Sequence, residues 1–188
     1  MERSFEAVLV EQCATTLAGV KPASLFRYQG ADQRQSREAA ARWAKELAPY
    51  GITVRILKVC PQTGACLIYL YRAGWLRSIL SEPSTRAFLA GQGYGADQSC
   101  QELLRQLSRR LCLEREFPHE IGVFLGYPLE DVVGFIRNRG RNYTCCGYWK
   151  AYGDPETARK RFDQYRRCTA ACCEQFRQGA AITQLIAA

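Results

Sequence analysis

The chain has 188 residues, of which 47% are hydrophobic, and it carries a formal net charge of +8. This length and apolar content exclude a wholly disordered chain and predict a single domain over residues 1–188. No uninterrupted apolar run approaches the roughly 18 residues that a membrane span requires, and the first residues lack the apolar core of a signal peptide. We therefore expect a cytoplasmic protein whose ten cysteines are free thiols.

The first fifty residues predict two helices. Apolar residues at every fourth position indicate a helix over residues 3–17. Residues 23–28 are ambiguous between helix and strand. Ser36 is predicted to cap a second helix over residues 36–48.

Two strands follow, over residues 52–59 and 66–72, where β-branched and aromatic residues are dense. The six residues between them contain Pro61 and Gly64, which predicts an antiparallel hairpin. Both strands are apolar on both faces, so we expect helices to cover the sheet. Short helices are predicted over residues 74–80 and 84–89. A longer helix over 97–113 is predicted to start at Asp97 and to point Arg110 outward.

The stretch 117–154 predicts a helix over 119–125, a left-handed residue at Gly126 and a second helix that starts at Pro128. Residues 145–152 resemble a strand, and Asp154 with Pro155 predicts the start of a last helix to about residue 176. The predicted fold is α+β: a small antiparallel sheet of about three strands, 52–59, 66–72 and 145–152, covered by several helices.

Positive charge concentrates near the end of the chain. Residues 137–167 contain nine Arg or Lys against three Asp or Glu, and the whole chain has many more arginines than lysines. Arginine favours bidentate contacts with carboxylates and phosphates. Rings interleave with these cations, which predicts a surface for an anionic aromatic ligand such as a nucleotide or flavin. The candidate ligand-binding residues are His119, Arg139, Arg141, Tyr148, Trp149 and Lys150. Ordinary sheet composition is the alternative.

The cysteines offer a second candidate site. Cys168 and Cys172 lie four residues apart on one helix face, while Cys145 and Cys146 are neighbours on a strand that sends them to opposite faces. If the last helix packs beside that strand, these thiols are candidate ligands for a metal or an iron–sulfur cluster. The chain has no Cys-x-x-Cys pair, and buried structural thiols are the alternative.

Residues 120–137 have the cadence of a helix-turn-helix, which would place the second helix in a DNA major groove. Glu130 and Asp131 argue against this, because they bring negative charge to the helix end that meets the phosphates. The neighbours His119 and Glu120 point about 100° apart on a helix, so a catalytic pair is not indicated.

The segments HEIGVFLGYPLEDVVGFI and CCGYWKAYGD, with CATTLAGVKPASLF near the start, resemble a family of small bacterial proteins classed only as a domain of unknown function. The resemblance implies a cytosolic protein with no established activity, and it supplies no catalytic residue.

Together these patterns favour a non-enzymatic binding or accessory protein. Its partner would be an anionic small molecule or cofactor, a metal, or an acidic redox protein. A nucleic-acid-binding regulator built on residues 120–137 and a thiol-dependent oxidoreductase are the alternatives. No membrane partner is expected.

Overall fold

In the computed structural model, which describes residues 3–114 and 116–187, the chain divides into two compact units. The first runs up to Trp75 and takes in the segment from Cys168 onwards, and the second is Leu76–Arg167. Compactness within a chain does not establish independent folding, so the prediction of one domain stays a prediction. Among the described residues, no helix combines the length and the apolar character needed to cross a membrane.

The first unit contains a three-stranded antiparallel sheet. Its strands are β1 (Ala23–Tyr28), β2 (Ile52–Val59) and β3 (Cys66–Arg72), in the order β1-β3-β2. Ile52 pairs with Arg72 and Val59 with Cys66, which confirms the hairpin of β2 and β3, and a register shift separates Ile56 from Lys58. The central strand β3 is the most buried of the three because it has a neighbour on each side.

The predicted α+β class is confirmed, but the predicted third strand was wrong. The strand beside β3 is β1, which pairs from Ala23↔Tyr71 to Tyr28↔Cys66. Residues 145–152 instead form a separate hairpin of two short strands, β4 (Cys145–Cys146) and β5 (Lys150–Ala151). Gly147 lies in the connection between them, and this segment pairs with itself rather than extending the sheet.

The first unit's helices are α1 (Phe5–Leu17), capped by Ser4, and α2 (Gln33–Leu47), followed by a 3-10 turn at Ala48–Tyr50. The cap of α2 is Asp32, whose carboxylate accepts the Gln35 N–H at 2.7 Å, and not Ser36 as predicted. Ser36 is buried inside the helix, where its hydroxyl accepts the Gly30 N–H at 3.0 Å. The sequence misplaced this cap because Asp and Ser are equally good N-cap residues.

A lysine lies in the interior of the first unit. Lys21 is only 7% exposed, and it lies in the connection between α1, which contains buried Thr15 and Thr16, and β1, which contains buried Ser24. Removal from water disfavours the ammonium form and lowers the pKa of Lys21 to about 8, although the nearby Cys13 thiol acts in the opposite direction. Lys21 is therefore a group whose charge opposes folding near neutral pH.

The second unit is mainly helical. Its helices are α4 (Pro83–Gly91), α5 (Cys100–Leu113), α6 (Ile121–Phe124) and α7 (Leu129–Asn138), together with the later part of α3 (Ala73–Ser81) and the earlier part of α8 (Pro155–Arg177). Asp154 accepts the Thr157 N–H at 2.8 Å, which confirms the predicted start of α8. Gly126 has φ 74°, the left-handed conformation predicted for it. Helix α5 begins with a capping box of Ser99 and Glu102 instead of at Asp97.

Candidate functional site

The hairpin of β4 and β5 is fixed to α7 by a buried carboxylate, Asp131. Its Oδ2 accepts the Trp149 indole N–H at 2.7 Å, and its Oδ1 accepts the backbone N–H groups of Tyr152 at 2.6 Å and Gly153 at 3.1 Å. Asp131 is 4% exposed, so water does not compete for these three bonds. The first turn of α7 therefore positions the hairpin and everything that the hairpin presents.

Trp149 belongs to the core of the second unit. Its ring stacks on Tyr127 with the centroids 5.0 Å apart and meets Phe162 of α8 edge-on at 4.5 Å. It is 9% exposed, and its indole N–H is bound by Asp131. The structure thus places Trp149 inside the unit, where the sequence had suggested a ligand-stacking ring on the surface.

The turn between β4 and β5 lies directly on α8. A Cβ at Gly147 would overlap the ring of Phe162, so only glycine allows this approach of backbone to ring. The contact leaves a cleft of about 520 Å³ between the hairpin and the helix. This thiol–arginine cleft is lined by Cys145, Cys146, Gly147, Tyr148, Arg159, Phe162, Asp163 and Arg166.

Two arginines give the cleft its charge. Arg159 and Arg166 are seven residues apart on α8, close to two full turns, so their side chains leave the helix on one face. Arg166 forms an ion pair with Asp163, and both partners are exposed, so solvent screens the pair. Neither arginine was among the predicted site residues, although the seven-residue spacing is visible in the sequence.

A ring and a thiol complete the cleft. Tyr148 is 42% exposed, and its ring is supported edge-on by Tyr165 at 5.2 Å. Cys146 is exposed and Cys145 is half-buried, and both line the cleft. The structure therefore brings together three of the predicted site residues, Cys145, Cys146 and Tyr148, and adds two arginines to them.

The other predicted cations are Lys150, on strand β5, and Arg139 and Arg141, at the end of α7 and just after it. The Lys150 ammonium donates to the Gly140 carbonyl at 2.8 Å and lies 4.9 Å from the centre of the Tyr143 ring, so it already has partners within the unit. Arg139 ends α7 in a left-handed conformation with φ 51°, and both it and Arg141 are exposed. Lys150 therefore fixes the connection between α7 and β4, while the two arginines face solvent.

His119 and Glu120 have different environments. His119 is exposed and its ring lies 4.8 Å from that of Phe135. Glu120 is 4% exposed, and its carboxylate accepts from Arg110 at 2.5 Å and from the Tyr94 hydroxyl at 3.0 Å. Burial, and then the charge of Glu120, raise the pKa of Tyr94. Arg110 therefore points inward, and the prediction that it faces solvent was wrong.

The segment predicted as a helix-turn-helix contains the four-residue helix α6 and the ten-residue helix α7. The first turn of α7 carries Asp131, which is occupied by the hairpin. In a helix-turn-helix the corresponding end of the second helix contacts base edges. This geometry does not favour DNA readout, which stays a prediction.

Cys168 and Cys172 lie in the first unit, packed with its hydrophobic core. The Cys168 thiol donates to the Ala14 carbonyl at 3.9 Å. Burial raises the pKa of Cys168 to about 11 and also raises that of Cys172, which opposes the thiolate form that metals bind. Within residues 3–114 and 116–187, no group of three or more His, Cys, Asp or Glu side chains is placed to hold a metal ion.

Comparison with curated proteins finds no match, and comparison with solved structures finds none either. One family model matches residues 9–186, nearly the whole chain. Its description is "Protein of unknown function (DUF3793)", which confirms the resemblance to a family classed only as a domain of unknown function. The chain belongs to the DUF3793 family.

Proposed function

We propose that this protein is a non-enzymatic cytosolic binding protein that takes an anionic small molecule in the thiol–arginine cleft. The observation that carries the proposal is the placement of Arg159 and Arg166 on one face of α8, in a cleft of about 520 Å³ that the exposed ring of Tyr148 also lines. Clefts of this size are typical of small-ligand sites, which measure roughly 300–1,000 Å³.

The charge of the cleft supports an anion. Guanidinium groups present paired N–H donors that match the oxygens of a carboxylate or phosphate. The one carboxylate that lines the cleft, Asp163, is paired with Arg166, which leaves the lining with net positive charge. Because the exposed pair of Asp163 and Arg166 is weak, a ligand with two acidic groups could displace Asp163 and contact both arginines.

The ring of Tyr148 supports a ligand with a planar group. Tyr165 holds this ring at its edge, which leaves an exposed ring surface at low cost in side-chain entropy. Nucleotides and flavin mononucleotide combine a planar ring with a phosphate, so they are the appropriate first probes. An acidic protein partner would use the same arginines without needing the ring.

Isothermal titration of the full chain with flavin mononucleotide and with adenosine diphosphate tests the proposal. The variant Arg159→Ala/Arg166→Ala should bind at least tenfold more weakly, since a hydrogen bond to a charged group contributes about 1.5–3 kcal/mol. The matched control is Arg105→Ala/Arg109→Ala, which removes two exposed arginines of α5, outside the cleft, and should leave the affinity unchanged. Equal weakening in both variants, or no binding by the wild type, would refute the proposal.

Binding of nucleic acid is tested with the same two double variants and a third, Arg139→Ala/Arg141→Ala. If the wild type binds single-stranded DNA at low salt and the cleft variant and the α5 control variant weaken this binding equally, general positive charge is responsible and not the cleft. Loss confined to Arg139→Ala/Arg141→Ala would instead assign binding to the exposed end of α7.

A further inference from the structure

We infer that Cys146 is a modification site, at which an acidic low-molecular-mass disulfide forms a mixed disulfide while its carboxylates contact Arg159 and Arg166. This inference rests on the proposed function, because the same two arginines recruit the anion. It adds a covalent step and names the substrate class: a disulfide whose halves carry carboxylates.

The ten cysteines are not equally accessible. Cys112 and Cys146 are the exposed ones, and the others are buried or half-buried. Burial raises the pKa of Cys13, Cys66, Cys168, Cys172 and Cys173, which suppresses their thiolates. Hydrogen bonds with Thr63 lower the pKa of half-buried Cys60, so its rate is followed as well, but exposure is greatest at two positions, Cys112 and Cys146.

The cleft distinguishes these two positions. Cys146 lines it together with two arginines and Tyr148, whereas Cys112 lies on α5 and is not part of its lining. Positive charge beside a thiol raises the local concentration of an anionic reagent. A negatively charged disulfide should thus react preferentially at Cys146, and a neutral one should show no such preference.

The step is a thiol–disulfide exchange that balances without another oxidant. The Cys146 thiolate attacks one sulfur of the disulfide, the S–S bond of the reagent breaks, and a new S–S bond joins Cys146 to one half. The other half leaves as a thiolate and takes up the proton that Cys146 lost. Cys145 also lines the cleft but is half-buried rather than exposed, so Cys146 is expected to react first.

The experiment uses the reduced full chain and three reagents: oxidised glutathione as the anionic disulfide, hydroxyethyl disulfide as the neutral one, and cystamine as the cationic one. Intact-mass and peptide mass spectrometry give the rate at each cysteine. The neutral reagent supplies the intrinsic rate ratio of Cys146 to Cys112. With oxidised glutathione this ratio should rise about tenfold at low salt, since two nearby charge pairs each contribute a few-fold. With cystamine the ratio should fall.

Two perturbations check the cause. Arg159→Ala/Arg166→Ala should return the oxidised glutathione ratio to the neutral value, and 0.5 M salt should reduce it in the wild type. Both arginines are exposed and alanine favours helix, so the fold of this variant should be retained. Equal rate ratios with all three reagents, or faster anionic reaction at Cys112, would overturn the inference.

The failure of this inference is distinguishable from failure of the proposed function. Titration of the reduced wild type with flavin mononucleotide measures reversible binding alone, because that ligand carries no disulfide and cannot react at Cys146. If that binding is present and Cys146 shows no anionic preference, the cleft binds anions without covalent capture and the inference is wrong. If neither binding nor preference occurs, both proposals are wrong.

Discussion

Replacing Asp131 by asparagine tests whether this buried carboxylate holds the hairpin of β4 and β5. Asparagine keeps the size of the side chain and one acceptor oxygen. With the amide oxygen in the place of Oδ1, the backbone N–H groups of Tyr152 and Gly153 keep their acceptor. The amide NH₂ then takes the place of Oδ2 and faces the indole N–H of Trp149, which is also a donor.

The expected cost follows from this count. One charge-assisted hydrogen bond is lost, worth about 1.5–3 kcal/mol, and a buried donor is left without an acceptor, which costs about 1–3 kcal/mol. Asp131→Asn should therefore lower the free energy of unfolding by about 3 kcal/mol. Asp131→Ala leaves all three N–H donors without an acceptor and should cost more, about 4 kcal/mol.

Urea unfolding followed by circular dichroism measures this loss, and hydrogen exchange at the Tyr152 and Gly153 amides shows whether it is local to the hairpin. Glu130→Gln is the matched control. Glu130 lies in the same first turn of α7 and is exposed, so it shares the interaction with the helix dipole but not the three bonds. Equal losses for Asp131→Asn and Glu130→Gln would show that helix-end electrostatics, and not the anchoring of the hairpin, accounts for the effect.

Three further predictions concern other parts of the two units. The pKa of Lys21, about 8 against an ordinary 10.5, means that the unfolded chain binds more protons between those values, so stability should rise with pH across that window. By urea titration at pH 7 and 10.5, the wild type should gain about 3 kcal/mol relative to Lys21→Met. Glu120→Gln should cost about 2–3 kcal/mol in urea unfolding because it removes the buried one of the two charged partners of half-buried Arg110. Glu114→Gln, at the exposed partner of the same arginine, should cost under about 1 kcal/mol. Gly147→Ala should abolish anion binding in the titration above by forcing the hairpin off α8, and unchanged affinity would contradict the close approach.

Local signals in the sequence were sufficient for some elements. The strands over residues 52–59 and 66–72 have the predicted bounds, because a dense β-branched and aromatic run ends in a turn that contains Pro61 and Gly64. The start of α8 was equally clear, since Asp154 and Pro155 occupy adjacent cap and first-turn positions. In each case the information lies within a few residues of the feature.

Pairings distant in sequence were not recoverable in the same way. Residues 23–28 carry no decisive periodicity, and they become a strand because β3 offers them an edge between 38 (Tyr28 to Cys66) and 48 (Ala23 to Tyr71) residues away along the chain. Arg110 looked exposed because its helix position is polar, but it points inward toward a carboxylate ten residues later. Neither outcome is encoded in a local pattern.

The candidate site also combines residues that the sequence pattern indicated with residues that only the structure brings together. In the segments that resemble the family, Asp131 and Trp149 point inward, bound to each other and packed against Phe162. Asp131 and Trp149 therefore build the scaffold, while Cys145, Cys146 and Tyr148 of the same segments line the cleft. The reactive surface is left to residues that the scaffold turns outward, of which Arg159 and Arg166 are the clearest. On α8, Phe162 faces the hairpin. Because Arg159 and Arg166 are seven residues apart, they leave the helix on one face beside Phe162 and lie at the edge of this contact, where the cleft forms.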